Sequence, residues 1–160
     1  MSIESASTER AALKEVAANC LCRKARSAAR TLTRFYDRHL AGAGIEPTQF
    51  SILVGIRLSQ PVPLVPLADH LGLERTTLTR NLSVLQSGGL VAIGRGEDAR
   101  RRMLSLTPRG RRVLKKALPR WKKAQQAAIS VLGQDDFARF SEALSFSNKF
   151  TKPKGNKYEK

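Results

Sequence analysis

The sequence is poorest in the groups on which most enzymes and secreted proteins are built. Its 160 residues contain two cysteines, Cys20 and Cys22, and two histidines, His39 and His70. So few histidines cannot serve a Ser/His/Asp set, and neither an HExxH motif nor a glycine-rich phosphate loop occurs. The chain is therefore expected not to be an enzyme, and to need no metal and no cofactor. Two cysteines make no disulfide framework and are expected as thiols. The longest clean apolar stretch, ILVGI at 52–56, is far short of the roughly 20 residues that span a bilayer. The opening MSIESASTER has no charged segment followed by an apolar run, so neither a signal nor a transit peptide is expected. A cytoplasmic protein with no membrane partner is expected. Acid is scarce as well: 13 Asp and Glu stand against 29 Lys and Arg, a net charge of +16. Such an excess repels itself in a compact monomer but suits a polyanion, and nucleic acid is the first candidate.

What is present is mostly helix. From Ser7 to Leu40 apolar residues recur every three or four positions, including Leu13, Val16, Cys20, Leu21, Leu32, Phe35 and Tyr36, which predicts one long helix ended by AGAG at 41–44. A second helix starts with Pro47 in its first turn and continues through Gln49, Phe50, Leu53 and Ile56. QPVPLVP at 60–66 breaks the pattern and leads into a short helix through Leu67, Ala68 and Leu71, with Pro66 in its first turn. Gly72 separates this from LERTTLTRNLSVLQSGGLV at 73–91. There Leu78, Leu82 and Leu85 form an apolar stripe, while Arg75, Thr76, Thr79, Arg80 and Ser83 face outward with no acid after Glu74.

Beyond Gly88-Gly89 the period shortens. LVAIGR at 90–95 and RMLSLT at 102–107, joined by RGEDARR, read as a hairpin with a charged tip. Thr107 as N-cap and Pro108 at the first helical position open a long basic helix to about Gly133, with a kink expected at Pro119. A last helix, about 135–150, carries Phe137, Phe140, Phe146 and Phe150. The tail at 151–160 is polar, basic and expected to be disordered.

The expected fold is mainly α with a small β-hairpin wing: a winged helix-turn-helix over 46–107, with dimerisation helices at 7–45 and 108–150. In that arrangement the second helix of the pair enters the major groove of DNA and the wing tip reaches an adjacent minor groove. Arg75, Thr76, Thr77, Thr79 and Arg80 are the candidate contacts from the helix, and Asp98, Arg100 and Arg102 from the wing, Asp98 positioning an arginine. The basic face at 109–123 is read as solvated surface with long-range attraction for DNA. Apolar stripes on the first and last helices exceed what the winged motif can cover, so a homodimer on a pseudo-palindromic operator is expected. The competing reading is a non-specific nucleoid or RNA-binding basic protein, marked by equal affinity for any duplex and a steep salt dependence.

In this order the residues resemble the MarR family of bacterial transcriptional regulators over roughly residues 10–150. PTQFSIL at 47–53, LADHLGLERTTLTRNLSVLQSGGLV at 67–91 and DARRRMLSLTPRG at 98–110 carry the likeness. The last contains a D-x-R wing signature as Asp98 and Arg100, and an L-T-x-x-G helix entrance as Leu106, Thr107 and Gly110. The resemblance implies interlocked terminal helices in a homodimer, with helix Glu74 to Ser87 in the major groove and Arg100 in the minor groove. It also implies a regulator, usually a repressor, released by a small ligand or by oxidation. Glu46 stands where the family commonly has Ser or Thr before the proline, so a weaker N-cap is expected there.

Two sensors are open. Cys20 and Cys22, about 200° apart around a helix and followed by Arg23, Lys24 and Arg26, suit a redox switch between chains or a thiolate metal site; they equally suit a small core residue beside an idle thiol. Phe35, Tyr36, His39, Phe50 and Trp121 suit a pocket for an aromatic or phenolic inducer, or plain core.

Overall fold

A computed structural model describes residues 3–95 and 102–145, without the side chains of 3–7 and 95. Seven helices and three short strands follow one another: α1 (Ile3–Asn19), α2 (Leu21–Leu40), a 3-10 turn at Ala41–Ala43, α3 (Pro47–Ser59), β1 (Val62–Pro63), α4 (Leu64–Leu71), α5 (Arg75–Ser87), β2 (Val91–Arg95), β3 (Arg102–Leu106), α6 (Pro108–Leu132) and α7 (Gln134–Ser145). The fold is mainly helical with a small antiparallel sheet, as the periodicity predicts.

The expected single first helix is two. Cys20 takes an extended ψ of 107° between α1 and α2. The Cys20 N–H still donates to the Val16 carbonyl at 3.0 Å, whereas the Ala17 carbonyl accepts from the Arg23 guanidinium. A side chain thus supplies a donor where the backbone turns aside. Apolar spacing reports which residues share a face, not the ψ of one residue between them, so the break left no trace in the pattern.

The hairpin is also larger than expected. β1 pairs antiparallel with β3, matching Val62 with Leu104 and Pro63 with Met103, so the sheet runs β1-β3-β2. Two residues inside QPVPLVP carry too short a signal to read as a strand. Pro66 does lie in the first turn of α4, where its missing N–H had no helical partner. Glu46 is helped from the other side: the Gln49 Oε1 accepts the Glu46 N–H at 3.2 Å, a capping-box contact that offsets the absent hydroxyl. Pro119 sits within α6 without ending it. The described part of the final helix stops at Ser145, so Phe146, Phe150 and the tail lie outside the described residues.

The core gathers around α3. Leu40, Ile52, Leu53, Ile56, Leu78, Leu104 and Ala117 are wholly buried, joined by Leu67, Leu82, Leu85 and Val91. α2, α4, α5, the sheet and the first half of α6 each contribute to this one cluster. By contrast, α1 contributes nothing: its described side chains from Thr8 to Asn19 are exposed, including Leu13 and Val16.

Candidate nucleic-acid interface

The helix-turn-helix is set by Gly72, whose φ of 61° gives α4 a left-handed C-cap that a β-carbon would strain. Its N–H reaches the Asp69 carbonyl, and the Leu73 N–H reaches the Ala68 carbonyl at 2.9 Å. The chain then reverses into α5. Burial of Leu78, Leu82 and Leu85, none more than 2% exposed, fixes the rotation of α5 about its axis. Arg75, Thr76, Thr79, Arg80 and Ser83 are consequently all exposed. Thr77 is half-buried on the flank beside Asn81, whose amide donates to the Thr77 carbonyl at 2.9 Å. Four of the five helix residues named from sequence thus form one outward face of hydroxyls and guanidinium groups, and Thr77 stands aside from it.

The exit from α5 is tied to the wing. The Leu90 N–H donates to the Leu85 carbonyl at 2.8 Å, and Leu90 in turn accepts the Thr107 N–H at 3.1 Å. The Thr107 hydroxyl donates to the Gly89 carbonyl at 2.7 Å and accepts the Gly110 N–H at 2.9 Å, so one side chain both caps α6 and holds the end of α5. A β-carbon on Gly110 would collide with the Leu90 carbonyl oxygen, which gives the L-T-x-x-G spacing its physical reason. Two contacts escape the sequence reading. Gln60 accepts the Leu106 N–H at 2.9 Å, and the Arg111 guanidinium donates to the Leu106 carbonyl at 2.9 Å. The first joins residues 46 positions apart, and the second reaches back across the β3–α6 junction.

In the wing, Arg102 is exposed and opposite Arg95 in the β2–β3 register. Asp98 and Arg100 lie outside the described residues. Along α6, Arg109, Arg111, Arg112, Lys115, Lys116, Lys122 and Lys123 are exposed and Arg120 is half-buried. The ion pair found among the described residues, Arg139 with Asp136 at 3.6 Å, is far along the chain in α7. The basic face is therefore left without carboxylate partners among the described residues.

The proposed sensor residues divide. Phe35 makes ring contacts with Tyr36 at 5.5 Å and His39 at 4.8 Å on α2, whereas Phe50 stacks with Trp121 at 6.3 Å between α3 and α6. The Tyr36 hydroxyl donates to Gln125 Oε1 at 2.5 Å, and burial raises its pKa above the ordinary 10.0. Gln125 was not legible from sequence, where it is one of several polar residues on a basic helix. Cys20, half-buried, and Cys22, exposed, are free thiols at the α1–α2 break. Because Cys20 sits at an extended joint, the 200° separation expected of a continuous helix does not apply. Among the described residues no group of three His, Cys, Asp or Glu side chains is placed to hold a metal, and no helix is long and apolar enough to cross a membrane.

No protein-family model matches the chain. Among curated proteins, the uncharacterized HTH-type transcriptional regulator YwoH of Bacillus subtilis is 24% identical over 113 residues, 71% of this chain and 82% of YwoH. Among solved structures, the M. tuberculosis transcriptional regulator MosR in complex with DNA is 41% identical, with a TM-score of 0.67 over 79% of this chain and 97% of MosR. A cysteine-to-serine mutant of MarR from E. coli, complexed with operator DNA, shares the fold at a TM-score of 0.73 and 23% identity, over 82% of this chain and 95% of MarR. The chain belongs to the MarR family of winged helix-turn-helix transcriptional regulators, and is a DNA-binding regulator rather than an enzyme.

Proposed function

We propose that the protein is a homodimeric repressor that reads a pseudo-palindromic operator and is released by an aromatic ligand or by thiol oxidation. The observation that carries the reading is the geometry of α5. Its three leucines are buried to within 2% of full exclusion, and this turns Arg75, Thr76, Thr79 and Arg80 outward together. Arginine can bind guanine O6 and N7 with two parallel bonds, and threonine donates to phosphate or base edges. Thr77 then acts from the flank, and Arg102, with Asp98 and Arg100 of the wing tip, serves the neighbouring minor groove.

Dimerisation is supported by what the single chain leaves uncovered. Leu13, Val16 and Leu21 near the N-terminus and Val131, Leu132 and Leu144 near the other end are all exposed. Such side chains on both terminal elements favour a partner copy as their cover. In this organisation residues 7–45 and 108–150 hold the dimer, 46–107 bind DNA, and 151–160 add charge. Two-fold symmetry then sets half-sites about 10 bp apart.

For control, the thiols at the α1–α2 break and the Phe35, Tyr36 and His39 cluster stand on the segment assigned to the dimer, and the Phe50–Trp121 stack joins the DNA-binding part to α6. The decisive experiment is fluorescence anisotropy of the full chain on DNA upstream of its own gene against a shuffled duplex, reduced and oxidised, with and without aromatic acids. A preference of about 10³ over shuffled DNA is expected, with release by one of the two effectors. Equal affinity for both duplexes, with a steep salt dependence, would instead favour the non-specific nucleoid or RNA-binding reading.

A further inference from the structure

A second concave surface lies away from α5. Between the last turns of α2 and the middle of α6 is an open cleft of about 540 Å³ lined by Arg38, His39, Lys116, Pro119, Arg120 and Lys123. Two arginines and two lysines line it and no carboxylate does, nor is any of the four paired with an acid among the described residues. Exposed cations on a convex surface spread apart, whereas these four converge on one hollow, where like charges repel unless an anion fills it.

Part of the cleft is already ordered. Arg120 is half-buried, its guanidinium laid over Gly42 so closely that a β-carbon there would collide with it. His39 is also half-buried, and its Nδ1 lies 2.9 Å from the Phe35 carbonyl. A carbonyl only accepts, so Nδ1 carries the proton, and Nε2 is the remaining hydrogen-bonding atom of the ring. Lys116, Pro119, Arg120 and Lys123 follow an i, i+3, i+4, i+7 spacing and form one stripe of α6. Trp121 and Gln125 project from a different side of the same helix, so the cleft is distinct from the Tyr36–Gln125 and Phe50–Trp121 contacts.

We infer that this cleft binds a compact small molecule bearing two or more adjacent phosphoryl groups. Two guanidinium groups and two ammonium groups match the charge and acceptor density of a diphosphate, which one carboxylate does not. The concavity favours a small ligand over a duplex, whose phosphates lie on a broad convex surface. The proposal does not depend on the operator-binding reading.

Isothermal titration calorimetry of the full chain with inorganic pyrophosphate and, separately, with a nucleoside diphosphate tests it, with orthophosphate as the single-group comparison. Saturable binding of one molecule per chain is expected for pyrophosphate, the nucleotide or both, tighter than for orthophosphate. Tighter binding of the nucleotide than of pyrophosphate would identify a phosphorylated nucleoside as the source; equal binding would identify the phosphoryl groups themselves. Lys116→Gln and Arg120→Gln should each weaken it about tenfold or more, the scale of a lost charge-assisted hydrogen bond. Lys122→Gln removes the same charge from the same helix outside the cleft and should leave affinity within about twofold. Absence of saturable binding by both probes, or an equal loss in Lys122→Gln, would overturn the proposal, because the net charge alone would then account for any attraction.

Discussion

At the scale of single residues, α5 separates packing from recognition. Leu78, Leu82 and Leu85 hold the helix down while Thr79 and Arg80 face away from them, so truncating the latter two removes donors without opening a cavity. Arg80→Ala and Thr79→Ala are expected to lower affinity for the operator by about 1–3 kcal/mol while leaving shuffled DNA nearly unaffected, as measured by anisotropy on both duplexes. Uniform weakening would remove base readout from these residues and leave them phosphate contacts. Thr107 and Gly110 predict the opposite kind of effect. Thr107→Ala loses the N-cap of α6 and the bond to the Gly89 carbonyl, and should cost about 1–2 kcal/mol in urea denaturation. Gly110→Ala should cost more, because the obstacle is the Leu90 backbone carbonyl rather than a side chain that can swing away. A Gly110→Ala protein as stable as its parent would mean that the α5 exit and α6 can separate freely.

At the scale of elements, the basic helix acts through its field. Lys115 is exposed, outside the cleft and without a carboxylate partner among the described residues. Lys115→Ala should therefore weaken operator and shuffled duplexes alike and lower the slope of log K against log salt by about one, read from titrations at several salt concentrations. A loss confined to the operator would make Lys115 a specific contact. The elements also show which signals a sequence carries. Amphipathic spacing located α3, α5 and α6, and Thr107-Pro108 placed the start of α6, because burial and capping act on residues near one another in the chain. The division at Cys20 and the two-residue strand β1 were not legible. One is a single backbone angle within an exposed helical run; the other exists only because β3 returns to lie beside it. The same reason hid Gln60 and Gln125, whose partners come from distant segments, and the pairing of Phe50 with Trp121 across α3 and α6.

At the scale of the whole molecule, burial is uneven in a way that one chain does not resolve. The cluster around α3 is closed, yet α1 offers Leu13 and Val16 to solvent, the start of α2 offers Leu21, and the end of α6 offers Val131 at 78% exposure. If a second copy covers these groups, placing charge on them should act on assembly and spare the fold of each subunit, because the single chain packs nothing against them. Leu21→Glu combined with Val131→Glu is expected to convert a dimer into a monomer in sedimentation velocity, with helical circular dichroism nearly retained. Burying even one unpaired carboxylate at such an interface costs several kcal/mol, on the order of a hundredfold or more in dimer affinity. The same variant separates the two forms of DNA recognition. A monomer retains one α5 face, so it should bind a half-site and a full operator with equal affinity per half-site and lose the tight binding that comes from joining two sites in one molecule. Undiminished binding to the full operator by a demonstrated monomer would show that each subunit reads DNA alone, and the exposed apolar ends would then require a partner other than a second copy.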